Sequence, residues 1–196
     1  MSKILIVDDR VNRQEQQFGE KNVEEISNYC DNLTSLPGFE KESNYDFKNK
    51  LKEYSLIAIH LSWLKENKIQ NEIIDFAKNN KKYLIVFSGG ISQTNMIEKN
   101  ILFLNSKDFY SENLVTLVKS EIDDKCLYKI LYGDKWELCL LFRYRQILWL
   151  YPERSIIYEM QNYDLLSELE NLSNLFPKLS SIDSIDKKIH EDYLQM

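Results

Sequence analysis

Four short runs of apolar residues stand out within the first 110 positions of the chain. They do not alternate with polar residues, which is typical of strands buried on both faces of a parallel sheet. Charged segments with apolar residues at helical spacing follow them, over 11–30, 63–80 and 111–122. This alternation predicts a doubly wound α/β fold. The four runs are KILIV (3–7), SLIAIH (55–60), YLIVFS (83–88) and ILFLN (101–105).

The segment 31–54 has a weaker pattern than its neighbours. Only its last part, about 46–53, is typical of a helix, although the alternation requires one more strand before it. We therefore expect residues 1–120 to form one domain with a five-stranded parallel sheet.

Residues 121–196 follow a different pattern and are predicted to form a mainly helical C-terminal extension. Asp134 precedes Glu137 by three positions, a capping pair that predicts a helix over 135–150. A hairpin that pairs LYKILY with WELCLLF across Gly133 remains an alternative, which would make the extension mixed α+β. Two further amphipathic helices are predicted over 165–176 and 181–196.

Composition and charge indicate a protein with a buried core and argue against a nucleic-acid partner. Apolar residues make up 43% of the chain and aromatic residues 12%, enough for a sizeable buried core. The net charge is −6, with 16 basic and 17 acidic side chains in residues 1–120 and 9 and 14 in residues 121–196. Neither part has the basic surplus that favours phosphate binding, so no nucleic-acid partner is expected.

The chain shows no sign of a membrane or secreted protein. Its first residues run directly into a strand pattern without a cationic and apolar leader. The most apolar stretch, 136–151, carries Glu137, Arg143 and Arg145, so we expect no membrane span. The three cysteines form no CxxC pair, which argues against a disulfide scaffold and a zinc ribbon. A reduced, cytoplasmic protein is the simplest interpretation.

Polar residues of the types used in catalysis and metal binding lie at the ends of the predicted strands. Asp8 and Asp9 come after the first run, His60 ends the second, Ser88 ends the third, and Lys107 follows the fourth. In a parallel α/β sheet such positions collect at one edge. Two adjacent carboxylates suit Mg²⁺, and a hydroxyl with an ammonium group suits phosphoryl oxygens.

The stretches KILIVDD, YSLIAIH, FSGG and LNSKDF, in this order, resemble the receiver domain of bacterial two-component response regulators over residues 1–120. The resemblance implies a doubly wound sheet of the flavodoxin type. It also implies that Asp8 and Asp9 bind Mg²⁺, that Ser88 is the hydroxyl that follows the phosphoryl group, and that Lys107 pairs with its oxygens. His60 stands where the family has its phosphoacceptor aspartate.

That replacement shapes the functional hypotheses, because an imidazole cannot form an acyl phosphate. His60 is interpreted as a hydrogen-bonded strand-end residue, with a metal ligand and a phosphohistidine as alternatives. We expect a degenerate receiver that needs no phosphorylation, has no enzymatic activity, requires no cofactor, and acts by binding another protein or a second copy of itself. The alternatives are a DNA-binding response regulator with a diverged acceptor, and a phosphoryl-transfer protein that holds a metal at Asp8, Asp9 and His60.

Overall fold

The strands and helices of the computed structural model fall into two units, Met1–Asp134 and Lys135–Met196. The first unit extends past residue 120, the boundary expected from the sequence, because a helix over Cys126–Tyr132 packs within it. Each unit is described by itself. The structure describes residues 3–8, 11–33, 44–66 and 68–194.

A mostly parallel sheet lies within the first unit, as predicted for an α/β fold. The strand order is β2-β1-β3-β4-β6-β5, and every neighbouring pair is parallel except β5 and β6. The antiparallel edge strand β5 is an addition that the sequence pattern did not predict. The described strands are β1 (Ile4–Val7), β2 (Asp31–Leu33), β3 (Leu56–His60), β4 (Tyr83–Phe87), β5 (Asn95–Ile97) and β6 (Ile101–Leu104).

Two segments with apolar residues at helical spacing each form two helices. The 11–30 segment forms two helices around Gly19, whose φ is 86°. The 63–80 segment also forms two helices, and Lys68 between them has a φ of 54°. A left-handed residue ends a helix because it turns the backbone out of the helical path. The helices of this unit are α1 (Val11–Phe18), α2 (Glu20–Ser27), α3 (Asn44–Leu51), α4 (Leu61–Glu66), α5 (Gln70–Asn79), α6 (Ser106–Phe109), α7 (Glu112–Lys119) and α8 (Cys126–Tyr132).

The central strands are buried on both faces, which explains their unbroken apolar runs. Every residue of β1 is buried, and its side chains alternate between two separate clusters. Ile4 and Ile6 pack in a cluster with residues of α1, α2, α7 and α8. Leu5 and Val7 pack in another with residues of α3, α4 and α5. This arrangement is the usual cause of non-alternating strands in α/β proteins.

Gly133, directly after α8, provides a test of the packing at the end of this unit. Its φ is 61°, and a Cβ at this position would lie 2.5 Å from Oδ1 of Asn113. We expect Gly133→Ala to lower the free energy of unfolding of the first unit by about 1–3 kcal/mol, because both the backbone and Asn113 must shift. Urea denaturation monitored by circular dichroism would measure the change.

Gly89 is the matched control, since a Cβ there would meet nothing within 4 Å. We expect Gly89→Ala to change the free energy of unfolding by about 0.5 kcal/mol or less. Equal effects of the two substitutions would contradict the described packing around Gly133.

The described part of the second unit is helical. Its longest helix packs against the third and fourth helices, and the second helix packs against the third. The segments LYKILY and WELCLLF lie in α8 and in the first helix of this unit, so the alternative hairpin is not formed. Among the described helices, none combines the length and apolar content needed to cross a bilayer. The helices are α9 (Trp136–Leu150), α10 (Arg154–Glu159), α11 (Tyr163–Leu175) and α12 (Ile182–Tyr193).

Candidate functional site

The carboxyl ends of the parallel strands meet at one edge of the sheet, and the predicted site residues follow these ends. His60 of β3 pairs with Phe87 of β4, and β1 ends one residue before Asp8. Ser88 comes directly after β4, and Lys107 lies in α6, just beyond β6. The edge therefore contains the four described candidates from neighbouring strands. Chemistry in folds of this class is concentrated at the same edge.

Asp8 is buried, and a tyrosine holds its carboxyl group. The hydroxyl of Tyr110 donates a hydrogen bond to Oδ2 of Asp8 at 2.8 Å, and Tyr110 is itself buried. A buried carboxyl group needs such donors, because burial removes its contacts with water. Asp9, the second member of the predicted acidic pair, lies outside the described residues.

The Tyr110 hydrogen bond leads to a stability prediction. We expect Tyr110→Phe to lower the free energy of unfolding by about 1–3 kcal/mol, because the buried carboxyl group loses a donor while the ring remains. Tyr54→Phe is the matched control, since Tyr54 donates to the exposed Asp31 at 2.7 Å. Chemical denaturation of both variants would measure the difference, and an equal loss in both would contradict a structural role for the buried bond.

The Nδ1 atom of His60 forms hydrogen-bond contacts with the first turn of α4. The backbone N–H of Ser62 donates to Nδ1 at 3.3 Å, and the Ser62 hydroxyl oxygen lies 2.5 Å from the same atom. Because a backbone N–H only donates, Nδ1 is the acceptor in this contact. His60 therefore acts as a cap for α4, which begins at the next residue, Leu61. Its Nδ1 lone pair is already engaged.

Aromatic rings pack against His60 and fix its position. The imidazole meets Phe87 edge-on, with ring centroids 5.3 Å apart and an angle of 71°. Phe87 stacks on Phe109 at 4.1 Å and meets Tyr110 at 5.4 Å in a perpendicular arrangement. Two of the polar residues of the edge, His60 and Tyr110, thus pack in one aromatic cluster.

Ser88 forms part of the turn that follows β4. Its hydroxyl oxygen accepts a hydrogen bond from the backbone N–H of Gly90 at 3.3 Å. Its carbonyl oxygen accepts from the N–H groups of Ile91 and Ser106, both at 3.2 Å. The FSGG stretch is therefore a turn tied to the start of α6, and the Ser88 hydroxyl contributes to that turn.

Lys107 is exposed and is positioned by the residue that caps its helix. Its backbone N–H donates to Oδ1 of Asn105 at 2.9 Å, while its ammonium group forms no ion pair with a described residue. The Asn105 amide donates to the carbonyl oxygens of Gly89 and Ile91 at 3.3 and 3.0 Å. Asn105 thus joins α6 to the turn after β4, which leaves the Lys107 side chain available for an anion.

Ser106 contributes a buried hydroxyl group at the same edge. Its side chain is 1% exposed, and Oγ has no hydrogen-bond partner in the part of the chain that the structure describes. Buried polar groups are almost always paired in folded proteins. The Ser106 hydroxyl and the Lys107 ammonium group therefore retain hydrogen-bonding capacity at the strand ends.

Three residues of this edge, Asn105, Ser106 and Tyr110, were not predicted as part of the site. Asn105 has a local signal, because an asparagine before a short helix is a preferred cap. Tyr110 has no local signal, since its partner Asp8 is 102 positions away in the sequence.

The described residues provide few ligands for the predicted Mg²⁺. No group of three His, Cys, Asp or Glu side chains among them could hold a metal ion. Asp8 supplies one carboxyl group, which already accepts a hydrogen bond from Tyr110. His60 supplies a nitrogen atom, whereas Mg²⁺ prefers oxygen ligands. The described part of the edge does not by itself fit a magnesium centre.

Comparison of the chain with protein-family models, curated proteins and solved structures found no match. A fold of this kind serves many functions, so the fold alone does not identify one. Any function must therefore be inferred from the residues at the sheet edge and on the surface of each unit.

Proposed function

We propose that this chain is a receiver-like signalling protein that binds another protein and takes no phosphoryl group. The proposal includes a doubly wound first domain and a helical C-terminal unit that serves for docking. The sheet supports it: apart from β5, the strands are parallel in the order β2-β1-β3-β4-β6. This is the strand order of flavodoxin-like folds, to which receiver domains belong.

The observation that carries the proposal is the state of His60. This residue occupies the end of β3, where a receiver domain would have its phosphoacceptor aspartate, and its Nδ1 accepts the backbone N–H of Ser62. An imidazole cannot form an acyl phosphate, and here it has a structural task as a helix cap. We infer that the edge keeps the form of a receiver site without aspartyl phosphate chemistry.

Hydrogen exchange can test the proposed independence from phosphorylation. The full chain would be incubated with Mg²⁺ and acetyl phosphate, and amide exchange would be followed over residues 104–119, which include Lys107 and α7. We expect no change in the wild-type protein, because no phosphoryl group is bound. A changed protection of this segment in the wild-type chain would contradict the proposal.

A DNA-binding function is less well supported by the second unit. Each of its three arginines pairs with a carboxylate of the same unit. Cations that already have such partners contribute less to phosphate binding. We therefore expect no salt-dependent binding of duplex DNA in fluorescence anisotropy. The pairs are Arg143–Glu168, Arg145–Asp186 and Arg154–Glu170.

Phosphoryl transfer at the sheet edge is the second candidate function. The unpaired groups of Ser106 and Lys107 favour it, because a hydroxyl and an ammonium group suit phosphoryl oxygens. Asp8 and His60 would then have to hold a metal ion. Titration calorimetry with Mg²⁺ and Mn²⁺ separates the candidates: micromolar binding that is lost in Asp8→Asn would favour phosphoryl transfer over the receiver-like function.

A further inference from the structure

Large apolar side chains are exposed between the end of α9 and the start of α11. They belong to Trp149, Leu150, Tyr158, Met160 and Tyr163, which we call the apolar patch, and they are 49–67% exposed. Single exposed apolar residues are common on proteins, but a concentration of them within a short segment is typical of a binding surface. Aromatic residues in particular contribute much of the binding energy of protein interfaces.

A groove of about 430 Å³ lies between α9, α10 and α11, next to this patch. Its lining is mixed, with the apolar Leu148 and Leu169 beside the ion pair of Arg154 with Glu170 and two further polar residues. The guanidinium group of Arg154 lies 5.9 Å from the centroid of the Tyr158 ring, which connects the groove to the apolar patch. Groove and patch therefore meet at Arg154, and the recess beside the patch is of mixed polarity.

The charges of this segment that form no ion pair with a described residue have one sign. Glu153, Glu159 and Asp164 are exposed, and none forms an ion pair with a described residue. Arg154, the cation of the same segment, is paired with Glu170. Along the chain, exposed carboxylates thus alternate with the residues of the apolar patch, and a complementary partner must supply cations.

We propose that this surface docks a cationic amphipathic helix of a partner protein. Apolar side chains of that helix cover Trp149 and Tyr158 beside the groove, while lysine or arginine side chains meet Glu153 and Glu159. A helix in a groove is a common mode of peptide recognition, and its two faces match the two properties of this surface. The inference rests on the proposed function, because it locates the protein contact that the function requires.

The uncompensated carboxylates distinguish this partner from other occupants of an apolar surface. A second copy of the chain would bring its own acidic surface against this one, which is unfavourable for like charges. An anionic membrane and a nucleic acid would be repelled in the same way. A cationic helix is the partner class that satisfies both the apolar and the acidic groups.

Fluorescence anisotropy of a labelled peptide tests the proposal on the full chain. The probe is a synthetic helix with leucines on one face and lysines on the other, and its control has glutamates in place of the lysines. We expect the wild-type chain to bind the lysine peptide and not the glutamate peptide. We expect Trp149→Ala, and separately the double variant Glu153→Lys with Glu159→Lys, to weaken binding about tenfold.

Asp183→Lys with Glu191→Lys is the matched control, because it makes the same change in net charge on exposed residues of α12. We expect this control to weaken binding by about twofold or less. Equal weakening by both double variants would mean non-specific attraction and would overturn the proposal. So would failure of the lysine peptide to bind, binding to anionic vesicles, or dimerisation in sedimentation velocity that Trp149→Ala abolishes.

These outcomes are separate from those of the proposed function. Peptide binding tests the surface formed by α9 to α11, whereas phosphoryl uptake tests the site at His60. A chain that takes no phosphoryl group and does not bind the peptide would overturn only the docking surface. A chain that takes one and still binds the peptide would overturn only the proposed function.

Discussion

Replacing Phe87 by alanine is expected to lower the free energy of unfolding of the first unit by about 3–5 kcal/mol. Phe87 has no exposed surface, stacks on Phe109 at 4.1 Å and meets the rings of Tyr110 and His60. The substitution removes these contacts and leaves a cavity that the surrounding strand cannot fill. Because the ring also fixes His60, the cost includes a loosened cap of α4.

Urea denaturation of the full chain, followed by circular dichroism, would measure this loss. Tyr29→Ala is the matched control within the same unit, since Tyr29 is 42% exposed. Surface substitutions of this kind usually change stability by about 0.5 kcal/mol or less. If Phe87→Ala lowered the free energy of unfolding no more than Tyr29→Ala does, the aromatic cluster would not stabilise the site.

Alkaline pH is expected to destabilise the first unit through two buried thiols. Burial, with a smaller contribution from the charge of Asp31, raises the pKa of Cys30 from 9.0 to about 12. Burial and the charge of Asp123 raise the pKa of Cys126 to about 12 as well. The folded state therefore holds both protons more tightly than the unfolded state does.

The sign of the effect follows from these shifts. Below the ordinary pKa of 9.0 both states are protonated, so the full stability is present. Between about pH 9 and pH 12 only the unfolded state loses its protons, and unfolding becomes easier by about 1.4 kcal/mol per pH unit for each thiol. Tyr54, whose pKa burial and Asp31 raise to about 12, adds a smaller contribution because it is screened by solvent.

Urea titrations at several pH values between about 8 and 11 would test this dependence. We expect the double variant Cys30→Ala with Cys126→Ala to show a flatter fall with pH than the wild-type chain. Cys139→Ala is the control, because Cys139 is exposed. Parallel slopes for the wild-type chain and the double variant would show that these thiols do not determine the alkaline behaviour.

The sheet was largely predictable because its central strands are buried on both faces. The run KILIV contains β1 (Ile4–Val7), and SLIAIH contains β3 (Leu56–His60), since burial on two faces requires apolar residues at every position. The edge strand β5 was not predicted because its residues, Asn95–Ile97, are exposed or half-buried and lie at the edge of the described sheet, next to β6. Gly19 interrupts a helical pattern that the apolar spacing alone would continue.

The position of the candidate site was predictable, but its hydrogen bonds were not. The parallel order of strands brings the residues after β1, β3 and β4 to one edge, so Asp8, His60 and Ser88 could be placed there from the sequence. The roles of Tyr110 and Ser62 depend on side-chain geometry that no local pattern encodes. The Nδ1 contact with Ser62 is what favours a structural His60 over a ligand or an acceptor.

The absence of phosphoryl uptake at His60 is the central claim, and the intact mass of the full chain tests it most directly. The chain would be incubated with Mg²⁺ and acetyl phosphate and kept at mildly alkaline pH, because phosphohistidine is labile to acid. We predict that the wild-type chain and His60→Gln remain unmodified and that His60→Asp gains one phosphoryl group. A phosphoryl group on the wild-type chain that is missing from His60→Gln would show that the imidazole is an acceptor. Failure of His60→Asp to gain one would contradict the receiver-like site.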